Sequence, residues 1–281
     1  ASLVLAIKSL AHNWPVSAAA GIVFICGALA FGRRQARLSD PLLTFDIFSS
    51  RIFSGGSLTA GGAMFGLSGL ELVSTQKLQL VDALSPLHAG LIISAMALSA
   101  IPTSILGGAT LHRVGFLPLI SGGFLLMAAG MALVVVSRGE TLPLLVSALV
   151  LTGLGAGLAM SVSSTAIINA APLHRTGMAS GVEAVSYEFG TLISIALTGT
   201  LMPLLMAREL PPHLAELGTD ALHDPSSHAA AASAYNAGYL STIGGLACFA
   251  LLLAAITAWC FRDNPKSGDP YAATQQKDRS P

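Results

Sequence analysis

The sequence predicts an all-α integral membrane protein with seven full transmembrane helices and the tail of an eighth. Three observations carry that prediction. Of the 281 residues, 53% are hydrophobic and only 10% are charged, where soluble domains are about a quarter charged. Mean hydropathy is +0.72. The apolar residues also gather into runs of about the 20 residues that a helix needs to cross the hydrocarbon of a bilayer. Helices are the default there because every backbone polar group must be satisfied within the segment.

The spans follow one another at 15–31, 53–75, 89–111, 116–136, 142–168, 179–206 and 237–261. Residues 2–10 read as the end of an eighth span that begins upstream. The connections are mostly short, so sequential helices are expected to pack antiparallel. The basic connector after the first span is the best internal boundary. It divides the chain into 1–52 (the end of one central span, a further span and the connector), 53–261 (a six-helix bundle) and 262–281, a polar tail expected to be disordered. Pro102 and Pro203 fall inside spans and are candidate kinks.

Basic residues orient the chain. With the connector in the cytoplasm, Arg33, Arg34, Arg37, Arg51, Arg113, Arg175, Arg262, Lys266, Lys277 and Arg279 lie inside, and Lys8, Lys77, Arg138 and Arg208 lie outside. That bias places the C-terminus in the cytoplasm and suits a bacterial inner membrane. The chain opens at Ala1 without a Met, a basic n-region or a cleavage site. The expectation is therefore no signal peptide and a piece of a longer protein.

Fourteen basic and fourteen acidic residues cancel, and nothing points to nucleic acid. Cys26, Cys248 and Cys260 all fall in apolar runs and read as packing residues. The loop 207–236 carries His213, His223 and His228 at a spacing that fits no metal-ligand pattern, so a solvated loop is expected. Gly153, Gly155 and Gly157 lack the third glycine position of a nucleotide loop, since Leu158 stands there, and lie in a span. No catalytic arrangement appears; the lipid bilayer is the expected surrounding, and no cofactor is expected.

The chemistry is carried by acids inside the spans. Glu183 and Glu188 lie within 179–206, and no Lys or Arg stands inside any span. A lone charge at membrane depth costs about 2.5–3.5 kcal/mol even on the lenient insertion scale. Such a residue either titrates and meets a cation that arrives from outside, or stays protonated and bonds a neighbouring helix. At 3.6 residues per turn, Ser180, Glu183, Tyr187, Thr191, Ser194 and Thr198 form one polar stripe. Glu188 lies about 140° round the helix from Glu183 and borders that stripe beside Tyr187. In the span 53–75, Ser57, Gly61, Met64, Ser68, Glu71 and Thr75 share a face with Phe65 at its edge. Glu71 is expected to be shallower, able to snorkel to the outer interface, with Lys77 near enough to share its charge. Pairs of glycines four apart (Gly62 and Gly66, Gly153 and Gly157, Gly177 and Gly181) are expected to let helices approach closely.

Local patterns add a resemblance. The run from Leu78 to Gly90, LQLVDALSPLHAG, is similar to LQxVxGxSPxxAG of the major facilitator superfamily's fourteen-span drug:proton antiporters. The loop with Gly108, His112, Arg113 and Gly115 resembles their GxxxDRxG motif, with His112 in place of the usual Asp. The segment from Gly177 to Gly190, with Glu183, Tyr187 and Glu188, resembles the quaternary ammonium and methyl viologen exporters. The resemblance implies the C-terminal half of a proton-coupled exporter of lipophilic cations, driven by the proton motive force. Its partners would be cationic drugs, protons and the missing N-terminal half. It carries a proton- and cation-handling role to Glu183 and Glu188; Glu71 is a further candidate from its place in the span 53–75, without an equally secure equivalent in the family. Tyr187, Phe65, Ser180, Thr191 and Ser68 would line the cavity. Export of a neutral or anionic metabolite or siderophore is the alternative, and a non-transporting membrane module is another.

Overall fold

A computed structural model describes residues 14–35, 45–138, 141–211, 214, 218–222 and 226–262. Seven α-helices form among them: α1 (Trp14–Gln35), α2 (Arg51–Leu80), α3 (Pro86–Val114), α4 (Phe116–Val136), α5 (Leu142–Ala170), α6 (Thr176–Glu209) and α7 (His228–Phe261). The expected eighth-span tail at 2–10, the polar tail from 263 onward and two of the three loop histidines lie outside the described residues.

The helix ends follow from local chemistry. Ser50 caps α2, its hydroxyl accepting from the Phe53 N–H at 3.4 Å. Ser85 caps α3 in the same way through the His88 N–H, with Pro86 fixing the first turn. Between α3 and α4 the chain reverses at Gly115, whose φ of 89° suits a residue without a Cβ. The turn after α2 is less relaxed. Ala83 holds φ 53° where the resembled motif has glycine. Ala83→Gly is therefore expected to stabilise the protein by a few tenths to about 1 kcal/mol, strain relief outweighing the added chain entropy. An unchanged or lower midpoint in a detergent melting curve would contradict this.

Helices α3, α5, α2 and α6 lie side by side in that order. Behind them α4 packs on α5 and α7, and α7 packs on α2 and α6. Exchanging α2 with α5, α3 with α6 and α4 with α7 maps these pairings onto one another, except that α6 with α7 has only a weak counterpart between α3 and α4. The bundle is thus two three-helix units in an approximately pseudo-symmetric arrangement. By contrast, α1 stands apart, with Val16, Ile22, Val23, Ile25 and Leu29 all exposed.

Five helices, α3 to α7, are long and apolar enough to span a membrane. Although α2 carries six glycines (Gly55, Gly56, Gly61, Gly62, Gly66 and Gly69) and several serines, it is the helix that α5, α6 and α7 all pack against. A helix shielded by protein needs small residues more than apolar ones. Lipid tails are as apolar as leucine, so close backbone approach has to supply the contact energy.

The glycines show where that approach occurs. A Cβ on Gly190 of α6 would overlap the Gly61 carbonyl of α2. On Gly153 and Gly157 of α5 it would overlap the carbonyls of Met96 and Ala100 on α3. These are symmetry-related crossings. A Cβ on Gly62 or Gly66 would press on Leu253, or on Met127 and Met131. Gly177 and Gly181 differ from the sequence expectation, since nothing stands within 4 Å of a Cβ at either. They lie near the start of α6, before it reaches its crossing with α2.

Candidate substrate and proton site

The polar stripe of α6 divides into a packed half and an open half. In the packed half, Ser194 donates to the Phe65 carbonyl of α2 at 2.6 Å, and Ser68 of α2 donates to Thr191 at 3.3 Å. Thr198 is buried and returns its hydroxyl to the Ser194 carbonyl. These bonds fasten α6 to α2. In the open half, Ser180 is exposed and Glu183 is half-buried. The Tyr187 hydroxyl donates to Glu183 at 3.0 Å, and the Tyr187 side chain packs against a buried cluster that includes Ile167 of α5. The α6 acid, Tyr187 and the central helix α5 thus meet in one place.

Glu188 is exposed. It is two residues before Gly190, about 160° round the helix from the glycine that meets α2. Its carboxylate therefore leaves the bundle, on the side that any neighbour of α6 would cover. Glu71 is exposed on α2. Because α2 continues to Leu80, Glu71 lies nine residues, about 13 Å, short of its end. It is deeper than the span 53–75 implied. Among the described residues no cation stands within ion-pair distance of Glu71, Glu183 or Glu188.

Lys77 does not share the charge of Glu71. Six residues separate them, about 120° round the helix, and Lys77 turns inward. It is 4% exposed, pairs with Asp82 at 2.9 Å and lies 5.9 Å from the centre of the Tyr239 ring. Tyr239 in turn bonds Ser74 at 3.2 Å. Asp82 and Tyr239 went unnoticed in the sequence. Asp82 sits at a variable position of its motif, and Tyr239 is placed by helix packing alone.

Phe65 lies elsewhere. Its ring centroid is 4.4 Å from that of Phe249 on α7. Both line an apolar groove of about 510 Å³ between α2, α6 and α7, with Leu58, Phe189, Ile193 and Leu197. No acid lines this groove. Six positions separate Phe65 from Glu71, so the ring and the carboxylate leave α2 about 120° apart. The motif expected in a loop lies in the last turn of α3, where His112 is exposed and accepts from Arg113 Nε at 3.3 Å. Gly108 and Gly115 bracket this turn, and Gly115 supplies the positive φ.

A bundle of this kind, with membrane-length helices in pseudo-symmetric units and acids opening from two of them, is the architecture of a multi-pass membrane transporter. The sequence profile described as "Sugar (and other) transporter" matches residues 48–202, more than half of the chain. The chain belongs to this transporter family, within the major facilitator superfamily. It is 31% identical over 207 residues to the multidrug efflux pump LfrA of Mycolicibacterium smegmatis, covering 71% of this chain and 40% of that one. It is 30% identical over 203 residues to the methyl viologen resistance protein SmvA of Salmonella typhimurium, covering 70% and 40%. Against the puromycin resistance protein pur8 of Streptomyces alboniger the identity is 32% over 242 residues, covering 84% and 46%. The chain thus spans less than half the length of these relatives. In fold it is similar to a bacterial homolog of the human lysosomal transporter Spinster in an inward-facing, occupied conformation. There the TM-score is 0.58 at 17% identity, over 80% of this chain and 52% of that one.

Proposed function

We propose that this chain is the C-terminal helical bundle of a proton-coupled multidrug efflux antiporter that exports lipophilic, quaternary-ammonium-type cations across the bacterial inner membrane. The observation that carries the reading is the set of membrane-depth carboxylates, Glu188, Glu183 and Glu71, with no cation beside them among the described residues. The names of LfrA, SmvA and pur8 support the drug-efflux part.

A carboxylate cannot hold a proton and pair with a cation at once. Mutual exclusion at Glu188 therefore exchanges one for the other. Tyr187 offers a ring face to the cation while its hydroxyl holds Glu183 in place. A second helical bundle closes the cavity over the exposed side of α6 and α2, and rocking of the two bundles alternates access. The end bearing Arg51, Arg113 and Arg175 faces the cytoplasm.

The test is proton release on adding a tetraphenylphosphonium-type cation to the detergent-purified full-length protein in weak buffer. One or more protons per bound cation are expected. Binding without any release, or release by a neutral analogue of the same shape, overturns the antiport reading.

A further inference from the structure

The contacts of α2 fix the direction in which Glu71 leaves it. At about 100° per residue, Gly61 and Ser68, which meet α6, lie about 80° and 60° to one side of Glu71. Gly56, which meets Ile167 of α5, lies about 60° to the other side. Gly62, against Leu253 of α7, and Gly66, against Met127 and Met131 of α4, lie about 180° and 140° away. Glu71 is exposed, so it leaves α2 through the gap between α5 and α6. That is the face of the four-helix row turned away from α4 and α7. Met64 and Thr75 lie within about 40° of Glu71 and border the same gap.

The crossing of Gly61 with Gly190 puts the acids on a common scale. Helices α2 and α6 run in the same direction, since Phe65 meets Ser194 four residues further along both. At 1.5 Å per residue, Glu188 lies about 3 Å and Glu183 about 10 Å on the Arg51 side of the crossing. Glu71 lies about 15 Å on the other side. It is thus about 18 Å from the level of Glu188 and about 25 Å from that of Glu183, within a hydrocarbon layer of about 30 Å. An ion pair reaches about 4 Å, so no monocation pairs with Glu71 and with either acid of α6 at once. Level with Glu71, residues 147–154 of α5 and 196–203 of α6 hold no titratable side chain. A carboxylate kept at such a depth marks the path of an ion or substrate. Given the antiport function proposed above, on which this rests, we infer that Glu71 is a second cation site, separate from that of Glu188. The transporter then holds two organic monocations at once, one at each level. Repulsion permits it. At 18 Å and an effective dielectric constant of about 20, one cation weakens binding of the other by only about fivefold. The Met64 thioether gives the apolar groups of the second ion a soft contact.

The experiment counts tetraphenylphosphonium ions bound to the full-length protein in nonionic detergent by equilibrium dialysis, against a detergent blank. Two ions per protein are expected for the wild type, and one each for Glu71→Gln and Glu188→Gln. The ion that remains in Glu71→Gln should still release protons on binding, and the one that remains in Glu188→Gln should keep its affinity within about fivefold. One ion in the wild type, or two in Glu71→Gln, overturns the second site. If that ion still releases protons, the antiport reading survives. No binding by the wild type, or binding without proton release, sinks both. Loss of both ions in a Glu71→Gln variant with an unchanged melting temperature would mean that the acids form one site, and the separation fails. Should Glu71→Gln not stay folded, Glu71→Asp decides. Two ions, one bound at least about tenfold more weakly than in the wild type, support the site, and two unchanged affinities overturn it.

Discussion

Replacing Glu188 by Gln in the full-length protein is expected to cut efflux of lipophilic cations by more than about tenfold, the loss of one charged contact, while the protein stays folded in the membrane. Glu188 is exposed and about 160° from the α2 crossing, so nothing in the bundle depends on its shape. Gln keeps the size and the hydrogen-bonding atoms but can neither release a proton nor pair with a cation. Glu188→Asp keeps the charge and withdraws it by one methylene, so partial activity with an altered preference among cations is expected. Glu183→Gln tests the second acid of the site. It still accepts from Tyr187, so local structure is preserved there while titration is lost. The measurement is efflux of a fluorescent cation from energised cells, with membrane abundance determined for each variant. Wild-type export by Glu188→Gln at equal abundance would show that this carboxylate has no part in transport.

The second large effect concerns folding. Gly190→Val is expected to remove most of the folded protein from the membrane, because its Cβ has no room against the Gly61 carbonyl. That neighbour is backbone in the middle of a helix, so the strain cannot be relieved by a side-chain rotation. The helices must separate, and separation stretches the bonds from Ser194 to the Phe65 carbonyl and from Ser68 to Thr191. Overpacking typically costs 1–3 kcal/mol, and the loss of two polar contacts between helices adds about 1 kcal/mol. Gly181→Val supplies the comparison. It lies on the same helix with nothing within 4 Å, so abundance and detergent melting temperature should remain near wild type. Equal effects of the two substitutions would mean that β-branching within α6, and not the crossing, sets the cost.

By itself the sequence determined the membrane class, the order of the spans and most of the helix limits. Those limits follow from local causes: an apolar run of bilayer length, a serine cap with proline behind it, a glycine at a turn. The predicted span 116–136 coincides with α4 because Gly115 and the polar turn at Ser137 bound it on both sides. It also marked Glu183, Tyr187 and Glu188 as the chemically unusual residues, since helical periodicity places them without knowledge of any partner. What only the tertiary structure decided is how each side chain was used. Whether glycines four apart meet another helix depends on where the crossing falls, so Gly153 and Gly157 meet α3 while Gly177 and Gly181 meet nothing. Proximity in sequence suggested Lys77 for Glu71, but helical rotation sends Lys77 inward to Asp82 and Tyr239. Phe65 borders the Glu71 face in projection, yet packing on Phe249 commits it to a different groove. A periodic pattern fixes the angle of a residue about its own helix, and the neighbour found at that angle is fixed only when the helices pack.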